Sequence, residues 1–162
     1  MKTIHYKNLA WLIISAGIIF LDQWSKSLIL HHLTYGQVVT VIPHCFNLVL
    51  IYNPGAAFSF LSTMPGWQRW FFSGIALIMT FILLKWLVSL PAKHAWLATA
   101  ISLVIGGALG NCIDRLRLSY VIDFIQWYYQ SFYWPAFNIA DSAVVVGALM
   151  IAGYYLFQKT ES

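Results

Sequence analysis

Four of the five acidic residues in this chain are aspartates, Asp22, Asp114, Asp123 and Asp141, and the last two stand 18 positions apart in VIDFIQWYYQSFYWPAFNIADSAV. The sequence around them is strongly apolar. Ionisable groups in or near such segments are costly, and by default they point to a functional site. Two carboxylates at close range repel when both ionise, so they share a proton. One can then activate water as a base while the other acts as an acid toward a scissile carbonyl. That is the scheme of aspartic proteases, and it requires no metal or cofactor. Asn53, Asn111 and Asn138 are the polar residues available to attend such a pair.

Other chemistries fit less well. Ser25-Lys26 and Ser142 are unconvincing nucleophiles. His31, His32, His44 and Cys45 form a loose cluster without the answering pair of a zinc site, so no metal is expected. Cys45 and Cys112 do not make a disulfide framework. Three of the aspartates also have a bland reading. Asp22 and Lys26 are spaced to pair on one helix face, Asp114 can pair with the adjacent Arg115, and Asp141 can serve the first turn of a helix.

The elements that must position these residues are membrane spans. The chain has 162 residues, of which 60% are hydrophobic and 9% charged. That profile belongs to a membrane protein. The formal charge of +4 reflects scarce acids and not a basic tract, which argues against a nucleic-acid partner. A bilayer core needs about 20 mostly apolar residues per helix. Residues 9–30, 70–88, 95–112 and 140–157 qualify, and no soluble domain remains. The expectation is one integral-membrane domain over 1–162. Its first span superficially resembles a signal peptide but reads as an uncleaved helix that continues through Asp22 and Lys26.

Lys2, Lys7, Lys85, Lys93 and Lys159 flank the spans on one side, whereas the first connection, 31–68, has no Lys or Arg. Both termini are therefore expected in the cytoplasm, with Arg115 and Arg117 as exceptions on the outer side. All four aspartates then fall at one depth, near the outer leaflet. The β-branched and aromatic run QVVTVIPHCFNLVLIYN predicts short strands within 37–63, and Asn53-Pro54-Gly55 reads as a turn. The aromatic stretch 124–137 is expected to lie in the interface as a short helix or loop. Gly106-x-x-x-Gly110 is a small-residue pattern that would let span three approach a neighbour, here span four. The fold class is thus an all-α membrane protein of four transmembrane helices, with a small β-sheet and a short interfacial helix or loop on the outer face.

Five motifs, DQWSK (22–26), YNPGAAFSF (52–60), GGALGNCIDR (106–115), VIDFI (121–125) and FNIADS (137–142), occur in order along nearly the whole chain. In them the sequence resembles lipoprotein signal peptidase (signal peptidase II). The resemblance implies a monomeric endopeptidase of the bacterial inner membrane. It would cut the signal peptide from a prolipoprotein just before a cysteine already carrying a diacylglyceryl group, in contact with membrane lipid and without a cofactor. Carried over residue by residue, Asp123 and Asp141 look like the catalytic dyad. Asn53, Gly107, Asn111, Asp114, Arg115, Asn138 and Ala140 look like the shell that binds substrate and orients the dyad, and Asp22 and Lys26 like structural support. Asp114 is the alternative to Asp123, since it too is a family aspartate. Asp123 is preferred because VIDFI lies closer to FNIADS and Asp114 has Arg115 beside it. A rival from another class is a small proton-coupled transporter or channel, whose acids would be spread across membrane depth.

Overall fold

The computed structural model describes residues 5–55, 66–91 and 93–158. A 3-10 turn, Tyr6–Trp11, leads into helix α1, Leu12–His32; α2 is Gln68–Ser89, α3 Ala95–Leu118 and α4 Ile139–Gln158. All four are long and apolar enough to cross a membrane. They lie where the hydropathy pattern predicts them. The main difference is α3, which continues past residue 112 to Leu118 and so carries Asp114 and Arg115 within the helix. Its end is set by Ser119, which adopts a left-handed conformation (φ 71°) and donates its N–H to the Arg115 carbonyl.

Helix α3 packs against all three others and is the most enclosed. Small residues permit this. A Cβ on Gly107 would stand 2.3 Å from the Ala140 carbonyl oxygen, and one on Gly147 would stand 2.6 Å from the Ala100 oxygen. Gly106 meets Ser15 and Ile18 of α1, and Gly110 meets Asp22. The Gly106-x-x-x-Gly110 pattern therefore faces mainly α1, while Gly110 also approaches α4, where a Cβ on it would stand 3.2 Å from that of Ala140. Gly107 and Gly147 carry the approach to α4. At the opposite end from the aspartates, the core is Leu83, Leu87, Leu97, Ile101 and Ile105. There Asn8 donates to the Leu87 and Leu90 carbonyls (3.0 and 2.7 Å), satisfying groups left open by the end of α2.

The sheet has strand order β1-β2-β3-β4, all antiparallel: β1 Val38–Ile42, β2 Phe46–Asn53, β3 Val121–Tyr129 and β4 Phe132–Tyr133. The expected strands within 37–63 are present up to Asn53; 56–63 lies outside the described residues. The aromatic stretch differs from expectation. It forms strand through Tyr133 and only then a loop, with Phe137 returning to bridge Ile125. The reason is nonlocal. Strand β3 finds its partner some 70 residues earlier, with Asn47 opposite Gln126 and Asn53 opposite Val121. Leu50, Ile122 and Phe124 form a second apolar core beneath the sheet.

Candidate active site

Asp22, Lys26, Asn53, Asn111, Asp114, Asp123, Asn138 and Asp141 converge where the carboxyl-terminal halves of α1 and α3, the amino end of α4 and the sheet meet. Lys26, one turn after Asp22 on α1, is the hub. Its ammonium group contacts Asp22 Oδ2 at 2.7 Å, Asp114 Oδ2 at 2.8 Å and Asn111 Oδ1 at 3.0 Å. An ammonium has three N–H donors, and three acceptors meet them. Lys26, Asp22 and Asp114 are all buried, so each charge depends on the others.

The remaining oxygens of Asp22 and Asp114 are also occupied. Asp22 Oδ1 accepts the Ala140 N–H (3.0 Å), which pins the start of α4 to α1. Asp114 Oδ2 also accepts the Ile122 N–H (3.2 Å) and so ties α3 to β3. Gln23 donates to Asp114 Oδ1 at 2.8 Å, to Asp22 Oδ2 at 3.2 Å and to the Gly110 carbonyl at 3.2 Å. Gln23 was not among the residues singled out from the sequence. Its place between Asp22 and Trp24 in DQWSK was the available signal. The expected pairing of Asp114 with Arg115 is absent: Asp114 is salt-bridged to Lys26, and among the described residues no carboxylate lies within 4.0 Å of Arg115. Arg115 points instead toward α2, its guanidinium carbon 5.4 Å from the Phe72 ring centroid. Neighbouring positions on a helix diverge by a large angle, so adjacency in sequence did not produce a contact.

Asp123 and Asp141 form a second tier, held by amides and not by cations. A bulge in β2 between Leu48 and Ile51 shifts the register so that Ile51 stands opposite Asp123. Bulges of this kind re-aim side chains. Asn53 donates to Asp123 Oδ2 at 2.9 Å, and its own carbonyl accepts the Gly55 N–H at 2.9 Å. That second bond fixes which way the Asn53 amide points. Asn138 donates through its side chain to Asp123 Oδ1 (2.8 Å), Asn111 Oδ1 (3.1 Å) and the Ile122 carbonyl (3.2 Å), and through its backbone N–H to Asp141 Oδ2 (3.1 Å). Asn111 donates to Asp141 Oδ1 at 2.7 Å. One asparagine therefore bridges Asp123 and Asp141, and another joins Asp141 to the Lys26 hub.

Burial pushes the Asp123 carboxyl up to about 7; the Asn53 hydrogen bond opposes the shift and the nearby Asp141 charge adds to it. Asp123 can thus carry a proton near neutrality. Asp141 differs in access. It is the one aspartate of the four that is not fully buried, and it borders a groove of about 900 Å³. Trp127, Tyr129, Phe132 and Trp134 line one side, with Val145 and Val146 of α4 on the other. Chemically, the arrangement offers two carboxylates joined through Asn138, one of them bordering an apolar groove.

A membrane-embedded enzyme built from four helices and a small sheet is the class that fold and site define, and known proteins agree. The family model for signal peptidase (SPase) II matches residues 14–157. The chain is 51% identical over 151 residues to a lipoprotein signal peptidase of Xanthomonas oryzae pv. oryzae, covering 93% of this chain and 91% of that one. It is 49% identical over 144 residues to one from Acinetobacter baumannii, covering 89% and 81%. A bacterial membrane enzyme solved by the in meso method at 2.3 Å superposes with a TM-score of 0.84 at 30% identity, covering 100% of this chain and 96% of that one. A second, solved at 1.9 Å, gives 0.81 at 32%, covering 96% and 97%.

The chain belongs to the signal peptidase II family: it is a multi-pass membrane peptidase.

Proposed function

We propose that this chain is an aspartic endopeptidase that removes the signal peptide from diacylglyceryl-modified prolipoproteins, cutting on the amino side of the lipidated cysteine, with Asp123 and Asp141 as the dyad. The observation that carries this reading is the division of labour among the four aspartates. Lys26 is ion-paired with both Asp22 and Asp114, whereas Asp123 and Asp141 are bridged by Asn138 and have no cation bonded to them among the described residues.

The dyad shares one proton, held on Asp123 near neutral pH. Asp141, at the groove, takes a proton from water as the water oxygen attacks the scissile carbonyl carbon. Asp123 gives its proton to the carbonyl oxygen, producing a neutral tetrahedral diol. Collapse of the diol breaks the C–N bond. Asp141 then passes its proton to the leaving nitrogen, and Asp123 regains one from the diol hydroxyl, so the pair ends as it began. Asn53, Asn111 and Asn138 hold the carboxyls in orientation, and Arg115 belongs to the shell around them. Asp22, Lys26 and Asp114 fix the helix ends, while Gly107 and Ala140 allow α3 and α4 to meet there.

The groove supports a lipidated substrate, because its walls are aromatic and aliphatic and it opens at Asp141. We place the site near the outer leaflet of a bacterial inner membrane, both termini in the cytoplasm, in a single monomeric domain. Incubation of the purified protein with a diacylglyceryl prolipoprotein peptide, followed by mass spectrometry, should yield a fragment whose new amino terminus is the lipidated cysteine. A cut at any other bond, or equal cleavage of the unlipidated peptide, contradicts the reading.

A further inference from the structure

Helix α2 lies outside the aspartate network, yet one of its side chains touches two parts of it. The ring of Phe72 faces the Asn53-Pro54-Gly55 turn so closely that a Cβ on Gly55 would stand 2.6 Å from Cε2 and 2.8 Å from Cδ2. Gly55 has φ +100°, a conformation open to glycine, and its N–H fixes the Asn53 amide that donates to Asp123. The same ring lies under Arg115, at 5.4 Å from the guanidinium carbon. Arg115 is partly buried, and its Nε has no hydrogen-bond partner among the described residues. Among the described residues no carboxylate lies within 4.0 Å of Arg115; the Asp141, Asp123 and Asp114 charges act on it from farther off, and the ring face is the group in contact with its cation.

We infer that Phe72 is a positioning residue for the reaction: its ring holds the Arg115 guanidinium beside the dyad and backs the turn that aims Asn53 at Asp123. The inference rests on the aspartic reading above. Packing alone explains part of the contact, since Phe72 also meets Phe71 edge-on at 5.3 Å. Packing does not explain why a site cation has an aromatic face and, among the described residues, no carboxylate in salt-bridge contact.

The distinguishing readout is the pH profile. The charged groups around Asp123 are Lys26 and Asp22 of α1, Asp114 and Arg115 of α3, and Asp141 of α4, with Asn53 and Asn138 as neutral donors. A guanidinium held nearby favours ionised Asp123, so its departure strengthens the hold on the proton. Phe72→Leu should lower kcat about 10- to 100-fold, as small misplacements in active sites do, and move the alkaline limb of the profile to higher pH. Phe72→Tyr, which keeps the ring, should restore both. Pentafluorophenylalanine at position 72 keeps the shape and reverses the ring's electrostatics, and it should reproduce the limb shift without loss of folded protein, so the test survives if Phe72→Leu does not fold. In an Arg115→Gln background neither replacement should move the limb further. An unmoved limb with the fluorinated ring overturns the positioning role. Asp123→Asn, assayed alongside, separates the two claims. If it is active, the aspartic reading fails; if it is inactive while the Phe72 variants match the wild type, only the positioning role fails.

Discussion

Asn138 and Asp141 cap one another across the first turn of α4. The Asp141 N–H donates to Asn138 Oδ1 at 2.9 Å, and the Asn138 N–H donates to Asp141 Oδ2 at 3.1 Å. This is the reciprocal geometry of a capping box, with Asp in place of the usual Glu or Gln. The helix start thereby fixes one carboxylate of the proposed dyad, and the Asn138 side-chain nitrogen reaches the other. Asn138→Ala should cost on the order of 1 kcal/mol in helix capping and lower turnover by more than that stability loss explains. Thermal unfolding in detergent, set beside kcat, checks it. A variant that loses stability but keeps kcat would restrict Asn138 to folding.

The Lys26 hub predicts an ordering of stabilities. Asp22→Ala should lower folded yield more than turnover per folded molecule, since it strands part of a buried charge network and frees the Ala140 N–H. Lys26→Ala should be worse, because two buried carboxylates lose one cation. Breaking a buried pair costs roughly 3–5 kcal/mol. Monodisperse yield on size exclusion gives the order. An Asp22→Ala protein that accumulates normally but is inactive would put Asp22 in the reaction itself.

The raised Asp123 pKa has a signed consequence for stability. The folded state holds this proton more tightly than the unfolded chain, whose value is near 3.8, and the folded value is about 7. The group's contribution to stability is therefore complete below about 4 and lost as pH rises through about 7. Asp123→Asn stays neutral throughout, so its melting temperature should gain on the wild type as pH rises from about 4 to about 7, and the difference should level off above that. A melting-temperature difference independent of pH would contradict the shift.

Topology is open to a direct check. Reporters fused after Gly36 or Tyr128 should report the outer side, and those at Ala92 or Ser162 the cytoplasm. An external Ala92 would dismantle the four-span arrangement and the location of the site.

The helices were legible in the sequence because a span of about 20 apolar residues is a local signal. Asp22 and Lys26 were legible as a pair because helical spacing sets their distance, and the bond is there. Strand β3 was not, because its hydrogen-bond partner β2 lies far off in the chain and aromatic residues suit an interfacial helix equally well. The Asp114–Lys26 bridge, Gln23 and the turn of Arg115 toward Phe72 depend on how α1, α2 and α3 rotate against one another. Composition and spacing carry no information on that rotation. The motifs drew attention to Asp114 and Asp123 alike; three-dimensional contacts separate them, since Asp114 is bonded to a cation and Asp123 to two amides.

That separation gives the central claim its sharpest test: single-turnover cleavage of a diacylglyceryl prolipoprotein peptide by Asp123→Asn, Asp141→Asn and Asp114→Asn, each confirmed as folded. The substitutions nearly preserve shape, but an amide can neither accept the proton from water nor return one. Asp123→Asn and Asp141→Asn should each lose at least the 10²–10⁴-fold attributable to acid–base catalysis, and the wild type should show a bell-shaped profile whose limbs belong to the pair. Asp114→Asn should lose folded yield first and keep measurable turnover per folded molecule. Full loss in folded Asp114→Asn, with substantial activity remaining in Asp123→Asn, would contradict the account and move the dyad to Asp114 and Asp141.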